Sequence, residues 1–438
     1  MPTIRPFRAL RFRPETVGDP STVISPPYDV ITPDEHRRLL DLNPRNVVRL
    51  DFPADEPGEP PDERYRRAAR LLAAWRSDGT LAKDRQPSLY GYEQRYRIPG
   101  DDAERIQRGF FGRVRLESFE PRAGILPHER TLAAPREDRY RLLRATGVNT
   151  SPVVGLHADR PGTSGQILHA VAQDRPDLDV VGRDGTRHRL WAVPDDGDPG
   201  GRVTQLISAV GERPITIADG HHRYETALRY RDERRMSRSC EEDPAFDYVL
   251  MLLLDTVHQR LTILPTHRIV RRLGDDGVGR MCAGLAELFE ARPASRAELI
   301  STFGPAVADH GTLRFGLWTR AGGSTLVPRH EAFDALPTGS GQAVRRLGVT
   351  MVGMALERLA GIDPDAVAGG QLAFTRSADE AVAAVDTGSD DADAAVLLQP
   401  TAVADVLAVA AQGDVMPQKS TYFHPKAASG LVINPLEW

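Results

Sequence analysis

Apolar residues along this chain fall into short runs with two spacings, and the spacing assigns most of the elements. Between Arg64 and Ser77, Leu71, Leu72 and Trp75 recur at helical intervals among arginines. Ser88 to Tyr96 alternates as a strand, and Gln107 to Leu116 does so again beyond an acidic turn, which predicts an antiparallel pair. Helices are expected from Arg136 to Ala145 and from Arg202 to Val210, with a strand at Val148 to Leu156. Asp247 to Leu254 is an unbroken apolar run, as in strands buried on both faces, and Leu261 to Arg268 is expected as its hairpin partner. The most abrupt junction is Pro214 to Leu228. Ile215 to Ala218 is apolar, Asp219-Gly220 breaks it, and a helical pattern follows at once to about Arg235. Asp219 is expected as the N-cap, with His221, His222 and Arg223 in the first turn.

At 438 residues the chain is long enough for more than one core. The pattern predicts a mixed α/β fold. Residues 1–268 are expected as a first domain containing the Asp-Gly turn, residues 269–412 as a second α/β domain, and residues 413–438 as a tail packing back on the first. Phe423, Leu431, Val432 and Ile433 give that tail apolar anchors, while Asp159 to Arg213, rich in Asp, Gly and Pro, reads as peripheral. A net charge of −5 with no basic block argues against dedicated nucleic-acid binding. With no apolar run of about 18 residues and no signal-peptide core after Met1, a cytoplasmic protein without a membrane partner is expected. Cys240 and Cys282 lie far apart and form no CxxC, so neither a zinc ribbon nor a disulfide framework is indicated. Of the 56 basic residues only Lys83, Lys419 and Lys426 are lysines. Where arginine is the general cation, a retained lysine points to the chemistry of a compact ammonium.

Adjacent His-His-Arg at the positive end of a helix dipole is poor for stability, so the Asp219-Gly220 turn reads as an anion site. First-turn N–H groups, close approach at Gly220 and a planar fork from Arg223 all suit phosphate. Pro26-Pro27 fixes the backbone before Tyr28 and Asp29, where Asp29 is a base, a ligand or a cap. His128-Glu129 behind Pro127 is an acid/base or metal-ligand pair or a surface loop pair; it is not HExxH. Pro265-Thr266-His267-Arg268 at a strand end offers a further cation. Gly413 to Ser420 has the frame of a P-loop, but Gln418 replaces the second glycine and Pro417 intrudes, while Gly339-Ser340-Gly341 lacks the third glycine of a dinucleotide fingerprint. Phosphate chemistry must then rest on the Asp219-Gly220 turn.

Ser25 to Ile31, Pro127 to Thr131, Ile217 to Ala227, Leu264 to Arg268 and Met416 to Phe423 resemble, in that order, the motifs of the prokaryotic family called domain of unknown function 1015 (DUF1015). The strand-Asp-Gly-His-His-Arg-helix turn is similar to the phosphate-binding box of the ParB and sulfiredoxin superfamily, whose members include CTP-binding partition proteins, sulfiredoxins and ADP-dependent free-serine kinases. That likeness implies a ParB/sulfiredoxin-like nucleotide-binding core. No cysteine stands beside Arg223 and no DNA-binding helix pair is recognisable, so it implies the kinase branch. The implied function is a nucleotide-dependent phosphotransferase acting on a small hydroxyl metabolite, with free L-serine the leading acceptor and ADP or ATP with Mg²⁺ as cofactor. Asp219, Gly220, His221, His222, Arg223, Lys419, Ser420 and Thr421 would bind the nucleotide phosphates. Glu129 or Asp29 would accept the substrate proton, with His128 and His222 as further acid/base candidates. Tyr28, Arg139, Asn149, His267 and Arg268 are expected to touch substrate or support the site. Two alternatives stand beside this one. The first is a phosphatase or metal-dependent hydrolase, with His128, Glu129, His221, His222 and His267 or His424 round an unspecified metal. The second is a non-catalytic nucleotide-sensing protein. The expected partners are the nucleotide and the small-molecule substrate, and homo-oligomerisation is left open.

Overall fold

A nine-stranded mixed sheet organises the first part of the chain. The computed structural model describes residues 2–437 apart from 121–122, 130, 132, 212, 238–241, 306–311 and 337–340. Arg130, Cys240, Gly339 and Ser340 therefore lie outside the described residues. The sheet runs in the order Ile125–Leu126, Ile215–Asp219, Val153–His157, Tyr248–Asp255, Asp101–Arg115, Ser88–Ile98, Arg187–Pro194 and Leu178–Val181, with Ile4–Arg5 beside Asp101–Arg115. Ser88–Ile98 and Asp101–Arg115 form the antiparallel pair that their alternation predicts. Tyr248–Asp255 lies between Asp101–Arg115 and Val153–His157, and all its residues are buried. Two neighbours and two covered faces explain its continuous apolar run.

The expected hairpin to Leu261–Arg268 does not form. Thr262–Ile263 pairs instead with Phe423–His424 of the tail, and His267–Arg271 enters a separate six-stranded antiparallel sheet. Both edges of Tyr248–Asp255 are already taken, and Pro265, lacking an N–H, separates the two short strands. That second sheet has the order Phe289–Ala294, Gly322–Pro328, Phe315–Thr319, Ala392–Leu398, His267–Arg271 and Leu372–Thr375. Asp159 to Arg213 is not wholly peripheral either, since Arg187–Pro194 pairs along Ser88–Ile98 and buries Leu190 and Trp191. The helices Glu63–Ser77, Ala133–Thr146 and His221–Ser237 pack in succession against one another. No helix among the described residues is long and apolar enough to cross a membrane.

Three sets of contacts stitch the last residues to the first part of the chain. Leu10 and Ile433 exchange backbone hydrogen bonds of 2.9 and 3.0 Å, and Asn434–Pro435 pairs with Val148–Asn149. Buried Arg113 donates Nε to Asn434 Oδ1 at 2.5 Å and Nη2 to the carbonyls of Pro435 and Glu437. Ser429 Oγ, Thr150 Oγ1 and Ser151 Oγ all donate to the buried Asp51 carboxylate, at 2.9, 2.5 and 3.2 Å. Arg113→Met keeps an apolar stem but leaves the tail's buried acceptors without their donor. It should lower the unfolding free energy by about 3 kcal/mol in urea denaturation and expose the 429–437 segment to protease.

Candidate functional site

Several separated segments meet where the Ile215–Asp219 strand ends and the His221–Ser237 helix begins. Gly220 makes the turn at φ +87°, a conformation that costs a side-chain-bearing residue, and a Cβ there would sit 3.0 Å from Arg223 Nε. Gly220 is also the N-cap in place of Asp219, because its carbonyl accepts Tyr224 N at 3.0 Å. The Asp219 carboxylate is gripped by two cations, Arg223 Nη2 on Oδ2 at 2.6 Å and Lys426 Nζ on Oδ1. Burial alone would raise this carboxyl, but the Lys426 and Arg223 charges outweigh it and hold it far below the usual range. Arg223 Nη1 donates to Pro152 O, so the fork that the sequence suggests for phosphate is committed inside the protein.

His128 and His221 pack edge to face beside this turn, ring centroids 4.6 Å apart. His128 Nδ1 donates to Ile217 O at 2.5 Å, which leaves Nε2 to accept from Thr421 Oγ1 at 3.0 Å. His221 Nε2 accepts the backbone N–H of His128 at 3.3 Å. Burial keeps both rings neutral, lowering His128 to about 4 and His221 well below its ordinary value. The pair is thus a hydrogen-bonded wedge that sets the Pro127–Glu129 loop and Thr421 against the turn. Among the described residues no three His, Cys, Asp or Glu side chains are placed to hold a metal ion. His267 sits in the second sheet, where its Nδ1 accepts Leu398 N at 3.1 Å.

Glu129 forms a backbone bridge with Met416, and Lys419 N donates to its Oε1 at 3.3 Å. Burial pushes the Glu129 carboxyl up to about 7, against the pull of the Lys419 N–H and the Lys419 and Lys426 charges. Lys419 is exposed, has no ion-pair partner among the described residues and lies at φ +56°. A left-handed backbone costs a lysine about 1 kcal/mol that a glycine would not lose, so the ammonium is what the position retains. Arg268 supports the loop from beneath, with Nη1 on Thr266 O and Nη2 on Lys419 O at 3.4 Å. Ser420 turns inward, its Oγ on Pro417 O at 2.5 Å, and closes the loop.

The 3-10 turn Tyr28–Val30 brings Asp29 to the same place. Asp29 is exposed, and its charge acts on Arg223, Lys426 and half-buried His222. Arg139 stacks over Tyr28 with its guanidinium 4.1 Å from the ring centroid, and is held by Asp138 at 2.6 and 2.8 Å and by Asp51 O. It supports Tyr28 from behind. Asn149 does not join the cluster, because its Oδ1 accepts Leu250 N at 3.1 Å and Asn434 Nδ2 at 2.8 Å. The residue that the sequence left unassigned is Lys426, which grips Asp219 and lies 4.6 Å from the Tyr422 ring centroid. Lysine scarcity marks it, but nothing local tells which tail lysine is buried. Glu129 yields a stability test. Its carboxyl moves from an ordinary 4.5 to about 7 on folding, so the folded state binds the extra proton between those values. This stabilisation is complete at low pH and lost as pH rises through 7, so thermal melts should show Glu129→Gln gaining about 3 kcal/mol over wild type near pH 8 and almost nothing near pH 4.

Solved structures similar to the chain include a conserved hypothetical protein from Pyrococcus furiosus, with TM-score 0.35, 12% identity, and 72% of this chain and 90% of that chain covered. A free serine kinase in complex with AMP gives a TM-score of 0.36, 12% identity, and coverage of 72% and 86%. SbnI with C-terminal truncation from Staphylococcus aureus gives 0.34, 10%, and 72% and 84%. None of the curated proteins matches the sequence. These likenesses are distant. The model of the family described as "Protein of unknown function (DUF1015)" matches residues 4–350, a span holding the Ser25, Pro127, Ile217 and Leu264 motifs, and the chain belongs to that family.

Proposed function

We propose that this protein is a nucleotide-dependent phosphotransferase acting on a small hydroxyl metabolite. The observation that carries the proposal is the raised Glu129 carboxyl, which accepts the Lys419 backbone N–H, together with the exposed Lys419 charge that acts on it and on His222 in the first turn of a helix. Phosphoryl transfer needs positioning, charge neutralisation and a base for the attacking hydroxyl more than it needs covalent chemistry. The first-turn N–H groups after Gly220 and the Lys419 ammonium take phosphate oxygens. Glu129, half ionised near neutral pH, accepts the hydroxyl proton. Arg223 and Lys426 fix the turn through Asp219, and His128 fixes Thr421 beside it. Mg²⁺ binds through one or two carboxylates and otherwise through phosphate oxygens and water, and exposed Asp29 is a carboxylate of that kind. ADP or ATP as donor and free L-serine as leading acceptor follow from the likeness of the turn to that of free-serine kinases. Residues 1–268 with 413–438 would form the nucleotide-binding domain of a cytoplasmic enzyme, and 269–412 its neighbour. The metal-hydrolase alternative is weakened by the hydrogen bonds that occupy His128 and His221.

Thermal melts with ADP, ATP and pyrophosphate in Mg²⁺ test the proposal, since a ligand at a hundred times its Kd adds about 2.7 kcal/mol to the folded state. Lys419→Gly should melt at or above the wild-type temperature without ligand yet lose most of the nucleotide shift. If no nucleotide moves the wild-type curve, the proposal fails. Glu129→Gln should keep the shift and lower kcat by about a hundred- to ten-thousand-fold. Unchanged turnover in that variant would remove Glu129 as the base, and tight binding without turnover in wild type would favour the sensor.

A further inference from the structure

The phosphate chemistry above leaves unused a cleft of about 660 Å³ between the two sheets, larger than serine requires. We propose that this cleft binds the nucleoside end of the nucleotide, so that the second sheet completes the site; this rests on the phosphotransferase proposal. Lys426 is the shared wall. Its ammonium holds Asp219 at the turn while the residue also lines the cleft, so a ligand with phosphates at the turn runs over Lys426 into it. Ile24, Pro26 and Leu264 make the lining apolar on the side of the first sheet. Three polar groups interrupt that lining. Ser25 is 2% exposed, and neither its Oγ nor His424 Nε2 has a hydrogen-bond partner among the described residues. Arg376, from the turn after Leu372–Thr375, lies 4.3 Å from the Tyr422 ring centroid, with no ion-pair partner among the described residues.

A buried hydroxyl without a partner is unfavourable and rare, and one lining an open cleft is explained by a ligand that supplies the partner. Asp184 and Glu380 also line the cleft, so it is no anion trap and the phosphates belong at the turn. An uncharged, flat, hydroxyl-bearing group fits instead. A base stacks on the Arg376 guanidinium, and the Ser25 hydroxyl and His424 ring nitrogen meet base or ribose polar atoms.

Calorimetric titration of ADP and of pyrophosphate, each with Mg²⁺, into wild type, Arg376→Ala, Ser25→Val and Lys419→Gly tests this. Arg376 is exposed and has no ion-pair partner among the described residues, and its contact with the Tyr422 ring is at the surface, so its variant should melt close to wild type. Arg376→Ala should weaken ADP about tenfold and leave pyrophosphate within about twofold. Ser25→Val should act in the same selective way, whereas Lys419→Gly should weaken both ligands. If ADP and pyrophosphate respond alike to the two cleft variants, or wild type binds ADP no more tightly than pyrophosphate, the inference is overturned and the phosphate site stands. A higher acceptor KM with unchanged ADP affinity in Arg376→Ala would give the cleft to the acceptor and overturn it too. If wild type binds neither ligand, the inference falls together with the phosphotransferase proposal.

Discussion

The Asp219 carboxylate, clamped between the Arg223 guanidinium and the Lys426 ammonium, is the interaction on which the site depends. It joins a strand end, the first turn of a helix and a segment from the far end of the chain. Two cations hold this anion beside a helix N-terminus, where the backbone dipoles add positive potential and exposed Asp29 acts on both cations from outside. Removing any one of the three charges would strand another in a desolvated place, which is why such groups are seldom replaceable singly. The neighbouring His128 and His221 fit this arrangement because burial keeps them neutral. Protonated rings there would add like charge beside the Lys426 ammonium.

Stability and chemistry pull apart at two positions facing this clamp. Lys419 holds a backbone conformation that suits glycine, and Glu129 keeps a carboxyl in surroundings that favour its protonated form. Neither choice helps the fold. A raised carboxyl and a strained lysine, joined by a hydrogen bond of 3.3 Å, are expected where a protein holds groups ready for a ligand.

The strand, the Asp-Gly break and the helix after it were legible in the sequence because each is a local pattern, and so was the antiparallel Ser88–Ile98 and Asp101–Arg115 pair. What the sequence could not show was set by distant partners. Arg223 has the fork that suits phosphate, but a carboxylate and a carbonyl of the same chain take that fork equally well. Asp219 before a helix has the pattern of a cap, and only the arrival of Lys426 explains its different use. The false hairpin at Leu261–Arg268 has the same origin, since the partner of Thr262–Ile263 is a tail strand more than 150 residues away. Asn149, expected at the site, instead meets another of the four asparagines, Asn434.

The tail that supplies Lys426 also gives the site a place in time. Asp219 and Lys426 are 207 residues apart, and Arg113 and Asn434 are 321 apart. At synthesis rates of about 5–20 residues per second, roughly 10–40 s separate the appearance of the carboxylate from that of its ammonium. During that interval the Asp-Gly turn has the Arg223 half of its clamp and lacks Lys419 altogether. A nascent chain can therefore form the strand and helix well before it has a pocket, and the pocket closes as one of the last events in making the molecule.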